Sequence, residues 1–358
     1  MGAVGPDAEL RRWLLDHDAT PDQVEAVLRG VDLGGVAARL VLVRGVELSA
    51  RDIGARLGMD ADRVVALFHN YGVAVPDVDA AQFTEADARL VEGSEAAGVL
   101  DSTDGRVVMR VLAAALDRVA EAGVALYLQN TEERLELEGT GPLGWLQEAQ
   151  RMAELATELG LGMGVLFRHH MLQAVGRQGD SQVEVTSRDV AWRAVGFVDL
   201  VGSTALAETL EMGELRTLVS EFEARAFDVA SAHGGRVVKF IGDEIMVAAV
   251  NPLAGCRLML ALLDACSTGG MQPRGGLAWG EVLFRGGDYY GREVNLASRL
   301  VDAAIPGEVL VDSSMVEAVS SGGIDDAGVV FERAGRRLLK GFADPTAVWS
   351  VSPSLAEG

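Results

Sequence analysis

The sequence predicts two domains of different class: an N-terminal all-α bundle and a C-terminal α+β domain built on a ferredoxin-like sheet. Three observations carry this expectation. Up to about residue 170 the apolar residues recur at helical spacing behind capping residues. From about residue 187 short apolar runs alternate with helical stretches. Between them lies a junction, so the domains are expected at 1–168 and 189–358, with a linker over 169–188.

In the first domain, Thr20 is placed to cap a helix reaching Gly30, with Pro21 at its first position and Gln23 where a capping box needs it. Leu48–Gly72 has a helix-turn-helix pattern: Ser49 caps one helix, Gly58 turns the chain, and Asp60 or Asp62 opens the next. Thr84 caps a further helix, and helical spacing recurs over 106–122 and 142–159. A DNA-binding role for the helix-turn-helix is disfavoured. Arg51, Arg56 and Arg63 are offset by Asp52, Asp60 and Asp62, and the second helix offers mostly Val, Ala, Leu and Phe to a groove.

In the second domain, Val195–Asp199 reads as a strand and Glu208–His233 as a helix ended by Gly234 and Gly235. Arg236–Ile241 and Ile245–Val250 flank Gly242-Asp243-Glu244 as a hairpin, followed by a helix over Asn251–Cys266. Gly275–Phe284 and the segment reaching Tyr290 form another hairpin around Arg285-Gly286-Gly287. The order β-α-β-β-α-β is that of a ferredoxin-like sheet with helices on one face.

The chemistry concentrates here. Asp199 and Asp243 each end an apolar run near a glycine, placing two carboxylates at strand ends where a divalent metal can sit between them. The reaction class this implies is phosphoryl or nucleotidyl transfer. Glu244 adjoins the pair, with a structural or solvent-facing role as its simpler reading. Asn295 and Arg299 are four apart in a helix starting near Gly291, so both project from one face.

Composition sets the remaining bounds. The 358 residues, 49% of them hydrophobic, can fill two cores. Arg110, Asp117, Arg118 and Glu121 interrupt the apolar stretch from Val107 to Leu128, so no integral membrane segment is expected. The opening Met-Gly-Ala-Val-Gly-Pro has neither a basic leader nor an apolar signal core, and Cys256 and Cys266 lack neighbours that would complete a zinc set. A cytoplasmic location follows as the expectation. A net charge of −22 opposes nucleic acid as a partner, but not a metal-bound nucleotide.

Three motifs in order resemble the signature set of class III nucleotidyl cyclases, in the bacterial subgroup with an N-terminal helical regulatory domain. They are Phe197-Val-Asp199-Leu-Val-Gly-Ser-Thr204, Val237-Val-Lys239-Phe-Ile-Gly-Asp243-Glu-Ile-Met246 and Gly287-Asp288-Tyr-Tyr-Gly-Arg-Glu-Val-Asn295-Leu-Ala-Ser-Arg299-Leu300. The resemblance covers about 190–352, including Leu339-Lys340-Gly341-Phe342, which is similar to that family's closing strand.

The resemblance implies an adenylyl cyclase that forms 3′,5′-cyclic AMP and pyrophosphate from ATP. Asp199 and Asp243 would hold two divalent cations per site, Mg2+ or Mn2+; Asn295 would orient the ribose and Arg299 stabilise charge on the reacting phosphate. Lys239 and Asp288 would sit over the purine, where an ammonium donating to N1 and a carboxylate accepting from the N6 amine complement adenine and mismatch guanine. Lys340 would meet the triphosphate or remain a solvated lysine. In that family the metal aspartates of one subunit face the Lys, Asp, Asn and Arg of the other, which implies a head-to-tail homodimer. A diguanylate cyclase would instead carry Gly-Gly-Asp/Glu-Glu-Phe at the turn, which Ile241-Gly-Asp-Glu-Ile does not.

The helical domain is then expected to be regulatory and autoinhibitory, answering to protons or a fatty acid. His169 and His170 at the junction are the candidate pH sensors, with a solvated helix end as the alternative. The competing reading of the whole chain is a helix-turn-helix regulator carrying a nucleotide-sensing cyclase-like domain.

Overall fold

The computed structural model describes residues 6–30, 33–42, 46–137, 139–179, 189–202, 206, 208–267, 272–322 and 328–354. Residues 1–5 at the expected leader-free start, Ser203 and Thr204 of the first motif, and 180–188 of the expected linker lie outside that description. The chain forms two compact units, 1–171 and 172–358.

The first unit is helical: α1 (Pro6–Asp16), α2 (Pro21–Leu28), α3 (Leu33–Leu42), α4 (Ala50–Leu57), α5 (Ala61–Asn70), α6 (Glu85–Ala96), α7 (Thr103–Leu137) and α8 (Pro142–Gly179). Helices α2, α4 and α6 start where the capping residues stand. Thr20, Ser49 and Thr84 each close a capping box with the residue three positions on, satisfying backbone N–H groups that helix geometry leaves orphaned. Gly58 ends α4 in the left-handed conformation and Asp60 opens α5, giving the helix-turn-helix its turn.

Two small cores form against the long helices. Leu14, Val27 and Leu40 bury against Leu146 of α8, while Ile53, Leu67, Phe68 and Phe83 bury against Met109 of α7. The Phe68 and Phe83 rings stack with centroids 4.1 Å apart. Helices α7 and α8 both run well beyond the expected 106–122 and 142–159, so residues 169–179 of the expected linker are helical. Among the described residues no helix is long and apolar enough to cross a membrane.

The second unit runs β1 (Val190–Val201), α9 (Met212–Ala232), β2 (Gly235–Ile241), β3 (Glu244–Ala249), α10 (Pro252–Cys266), β4 (Gln272–Arg285), β5 (Asp288–Tyr290), α11 (Arg292–Ala303), β6 (Val309–Asp312), α12 (Ser313–Ser321), β7 (Val329–Arg337) and β8 (Thr346–Pro353). The sheet order is β2-β3-β1-β4-β6-β8-β7, with β5 pairing to β4 off this path. β1 is antiparallel to both β3 and β4.

Two expectations are corrected. Helices cover both faces of the sheet, not one: Ala194 and Val198 of β1 pack with Phe222 of α9 and Met259 and Leu262 of α10, while Val195 and Phe197 pack with Leu296 and Leu300 of α11. The reason is visible in β1, whose buried residues run continuously instead of alternating, so each face needs a cover. The segment Leu339–Phe342 is not a strand. It turns between β7 and β8, where buried Leu339 anchors it and the Arg336 guanidinium donates to the Pro345 carbonyl at 2.8 Å.

Helix α11 lies directly on β4 because Gly276 has no side chain. A Cβ there would stand 2.3 Å from the Val301 nitrogen and 2.4 Å from the Ala297 carbonyl oxygen, both backbone atoms that cannot swing aside. Gly276→Ala should therefore push α11 off the sheet and cost about 3 kcal/mol of stability. Thermal denaturation of the variant checks this; an unchanged midpoint would show that the helix can yield.

Candidate active site

Two backbone registers assemble the carboxylates. Asp199, near the end of β1, stands opposite Glu244 on β3 and opposite Arg274 on β4. The Arg274 Nε donates to Asp199 Oδ2 at 2.8 Å, and its Nη2 approaches the same oxygen at 2.7 Å. A third Arg274 nitrogen, Nη1, donates to the carbonyls of Asp302 and Ala304 at 3.2 and 3.4 Å, at the end of α11. Asp243 occupies the turn between β2 and β3, behind Gly242, whose φ of 64° favours glycine.

Glu244 senses this crowding. Its carboxyl is pushed up to about 7, first by burial, then by the charges of Asp199, Asp302 and Asp243, with Arg274 opposing them. Three carboxylates thus act on Glu244 against one guanidinium, an excess of negative charge that a divalent cation would relieve. Among the described residues no three His, Cys, Asp or Glu side chains form a metal cage. Asp199 near the end of β1 and Asp243 in the β2–β3 turn are hard oxygen donors, the kind that Mg2+ or Mn2+ takes when water and substrate oxygens complete its shell.

A second group gathers on the same sheet face. Along β2 the register shifts between Val237 and Lys239, so that Arg236 stands opposite Ala248 and Lys239 opposite Met246. Ala248 and Met246 both belong to the cluster under α11. Residues three apart on a regular strand face opposite ways; the bulge at Val238 turns Arg236 and Lys239 to one side. There the Lys239 Nζ meets Asp288 Oδ2, whose other oxygen accepts from the Tyr289 N–H at 2.8 Å. With Lys239 41% exposed, this ion pair contributes about 1 kcal/mol at most, too little to hold two separate strands together by itself.

The remaining candidates are dispersed. Asn295 is exposed on α11 and Arg299 half-exposed one turn later, its Nη1 donating to Asp302 Oδ2 at 2.8 Å. Lys340 is exposed in the β7–β8 turn, and His169 and His170 are exposed on α8. In the helix-turn-helix, Arg51 pairs with Asp79, Arg56 with Glu85, and Arg63 with Glu95 and Asp101. These pairs add to the offsetting charge of nearby Asp60 and Asp62, whose fields also act on Arg51.

The Adenylate and Guanylate cyclase catalytic domain family matches residues 186–352, from before β1 to the last residues of β8. A pH-sensitive adenylate cyclase of Mycobacterium tuberculosis (strain CDC 1551 / Oshkosh) is 30% identical over 354 residues, covering 96% of this chain and 87% of its own. The chain belongs to the class III cyclase family. An uncharacterized protein of Mycobacterium tuberculosis (strain ATCC 25618 / H37Rv) is 33% identical to this cyclase over 302 residues, 82% of this chain and 78% of that one. The crystal structure of the adenylyl cyclase CyaB from P. aeruginosa is 24% identical, with a TM-score of 0.42, and covers 46% of this chain and 95% of that chain.

Sequence reasoning passed over two charged residues of this cyclase. Arg274 and Asp302 enter the site through strand register and a helix end, seventy-five residues and more than a hundred from Asp199. The available signal was an arginine at the start of β4, next to a Gly-Gly pair that admits a helix.

Glu244 gives a sign-definite prediction. Its folded carboxyl titrates above its ordinary 4.5, so the folded chain keeps a proton that the unfolded chain loses, and stability falls as pH rises from about 4.5 through 7. In the presence of a chelator, Glu244→Gln should equal the parent near pH 4 and exceed it by about 2 kcal/mol at pH 8. Denaturant unfolding at the two pH values measures this; a gain independent of pH would exclude the titration.

Proposed function

We infer that this cyclase converts ATP to 3′,5′-cyclic AMP and pyrophosphate, at sites formed where two copies meet head to tail. The observation that carries the choice of nucleotide is the Lys239–Asp288 pair, an ammonium and a carboxylate side by side on the face that also bears Asp199. Against adenine, Lys239 donates to N1 and Asp288 accepts from the N6 amine. Guanine would present a hydrogen to Lys239 and a carbonyl to Asp288, leaving both mispaired.

In the reaction the ribose 3′-oxygen attacks the α-phosphorus, its proton is lost, and the bond from that phosphorus to the bridging oxygen breaks as pyrophosphate leaves. Asp199 and Asp243 would hold two divalent cations, which when bound favour the 3′-alkoxide and neutralise the triphosphate. The Asn295 amide orients the ribose. Arg299, with one nitrogen on Asp302, has further N–H donors for charge gathering on the α-phosphate. Lys340 offers a further cation to the triphosphate. One chain carries one complete set of these groups, which suits two equivalent sites in a homodimer.

Residues 1–168 are assigned a regulatory, inhibitory role. Support comes from the likeness to a pH-sensitive adenylate cyclase across nearly the whole chain. His169 and His170, exposed on α8, are the proposed proton sensors. A shift between two catalytic subunits would separate the carboxylates from Asn295 and Arg299 without unfolding either.

Asp199→Ala and Arg299→Ala homodimers should each lose at least about a thousandfold in turnover. Mixed and allowed to exchange, they should regain activity, because one site in the mixed dimer is intact. The measurement is chromatographic identification of cyclic AMP from ATP and of any cyclic GMP from GTP; subunit exchange without recovery would place the whole site in one chain. For regulation, changing both His169 and His170 to Ala should flatten the activity profile between about pH 5.5 and 8, the range in which histidine titrates. A parental profile in that variant would move the sensor elsewhere.

A further inference from the structure

The Lys239–Asp288 pair joins two pieces of backbone that share no rung. Among the described residues β2 pairs only with β3, and β5 pairs only with β4. Strands β3 and β1 lie between β2 and β4 in the sheet. The three residues of β5 hang from the end of β4, off the main strand order, so backbone pairing alone does not fix Asp288 opposite Lys239. An ion pair this exposed does not fix it either.

Arg236 spans the gap. Its Nη2 donates to the carbonyl of Gly287, the residue before Asp288, at 3.2 Å. Its guanidinium carbon lies 4.9 Å from the centroid of the Tyr289 ring, the residue after Asp288, and 5.8 Å from that of Phe284. Phe284 and Tyr289 are partners across the β4–β5 hairpin, with centroids 5.2 Å apart. One side chain of the edge strand therefore holds both neighbours of Asp288, by a charge-assisted hydrogen bond on one side and a cation–π contact on the other. The bulge at Val238 makes this possible by turning Arg236 and Lys239 to the same face.

We propose that Arg236 is the positioning residue for nucleotide selection: it clamps the β4–β5 hairpin to β2 so that Asp288 and Lys239 present a matched acceptor and donor to the purine edge. It acts through Asp288 and does not itself touch the base. The proposal rests on the assignment of Lys239 and Asp288 to base recognition.

The test uses the full chain and compares the KM for ATP with the inhibition constant of GTP as competitor. Arg236→Ala should narrow the gap between the two by about tenfold, since a displaced carboxylate no longer favours the N6 amine over a carbonyl. Arg236→Lys, which keeps a cation over the rings, should restore it to within about threefold. Combined with Lys239→Glu and Asp288→Cys, Arg236→Ala should change the ratio no further. Should Arg236→Ala fail to fold, Arg236→Gln carries the test, because it keeps a polar, unbranched stem but is shorter and puts no charge over the rings; its ratio should also fall. An Arg236 variant that loses turnover on ATP yet keeps the parental ratio would overturn the clamp while leaving the base-recognition assignment standing. A parental ratio in the Lys239→Glu, Asp288→Cys variant would remove that assignment, and the clamp with it.

Discussion

β1 is hydrogen-bonded along both edges, to β3 from Ala194 to Asp199 and to β4 from Val190 to Val201. That double register places the charged groups of the site. Slipping either pairing by one residue would send Asp199 to the face covered by α9 and α10, where there is neither Arg274 to balance it nor Glu244 beside it. The apolar residues enforce the register: Ala194 and Val198 belong to one core and Val195 and Phe197 to the other, so a slipped strand would exchange two filled sets at once. Position of the carboxylate is thus a by-product of packing elsewhere on the same strand.

The electrostatics build on that frame. Arg274 reaches Asp199 with two nitrogens and the end of α11 with a third, so a single side chain connects the carboxylate to the helix that carries Asn295 and Arg299. That helix is close enough because Gly276 lets its backbone settle on β4. Asp302 faces two ways in charge: it accepts from Arg299, and its field adds to those that keep Glu244 protonated to higher pH. Change in any one of these charges is felt by the others, as expected where partly buried carboxylates outnumber nearby cations.

How much of this was legible in the sequence depended on the range of the interaction. The capping box at Thr20, the Ser49 and Thr84 caps, the Gly58 turn and the Gly242-Asp243 hairpin are local, and residue type within four positions reports them. The ferredoxin-like order of strands and helices was likewise readable from alternating patterns. Helix α11 on the second face, the Arg274–Asp199 bond and the ion pairs of Arg51, Arg56 and Arg63 are not local, because each depends on which strand or helix arrives from far along the chain. The bulge at Val238 is the sharpest case. The doubled Val237-Val238 breaks plain alternation, but only pairing with β3 shows that one residue is extra in the ladder. Leu339–Phe342 is placed in a strand by resemblance to the family's closing segment, whereas here the chain turns between β7 and β8.

The sheet also separates two kinds of tolerance to change. β1, with Asp199, is enclosed by neighbours on both sides, whereas β2, with Arg236 and Lys239, is an edge strand, paired among the described residues along one edge. An insertion, a bulge or a new side chain on an outer strand disturbs one ladder; the same event in β1 disturbs two ladders and two cores. Asp199, assigned to metal binding, therefore rides on the most constrained strand, and Lys239, assigned to base choice, on an edge strand. A lineage built on this frame could alter the lysine on its margin while Asp199 stayed fixed at its centre.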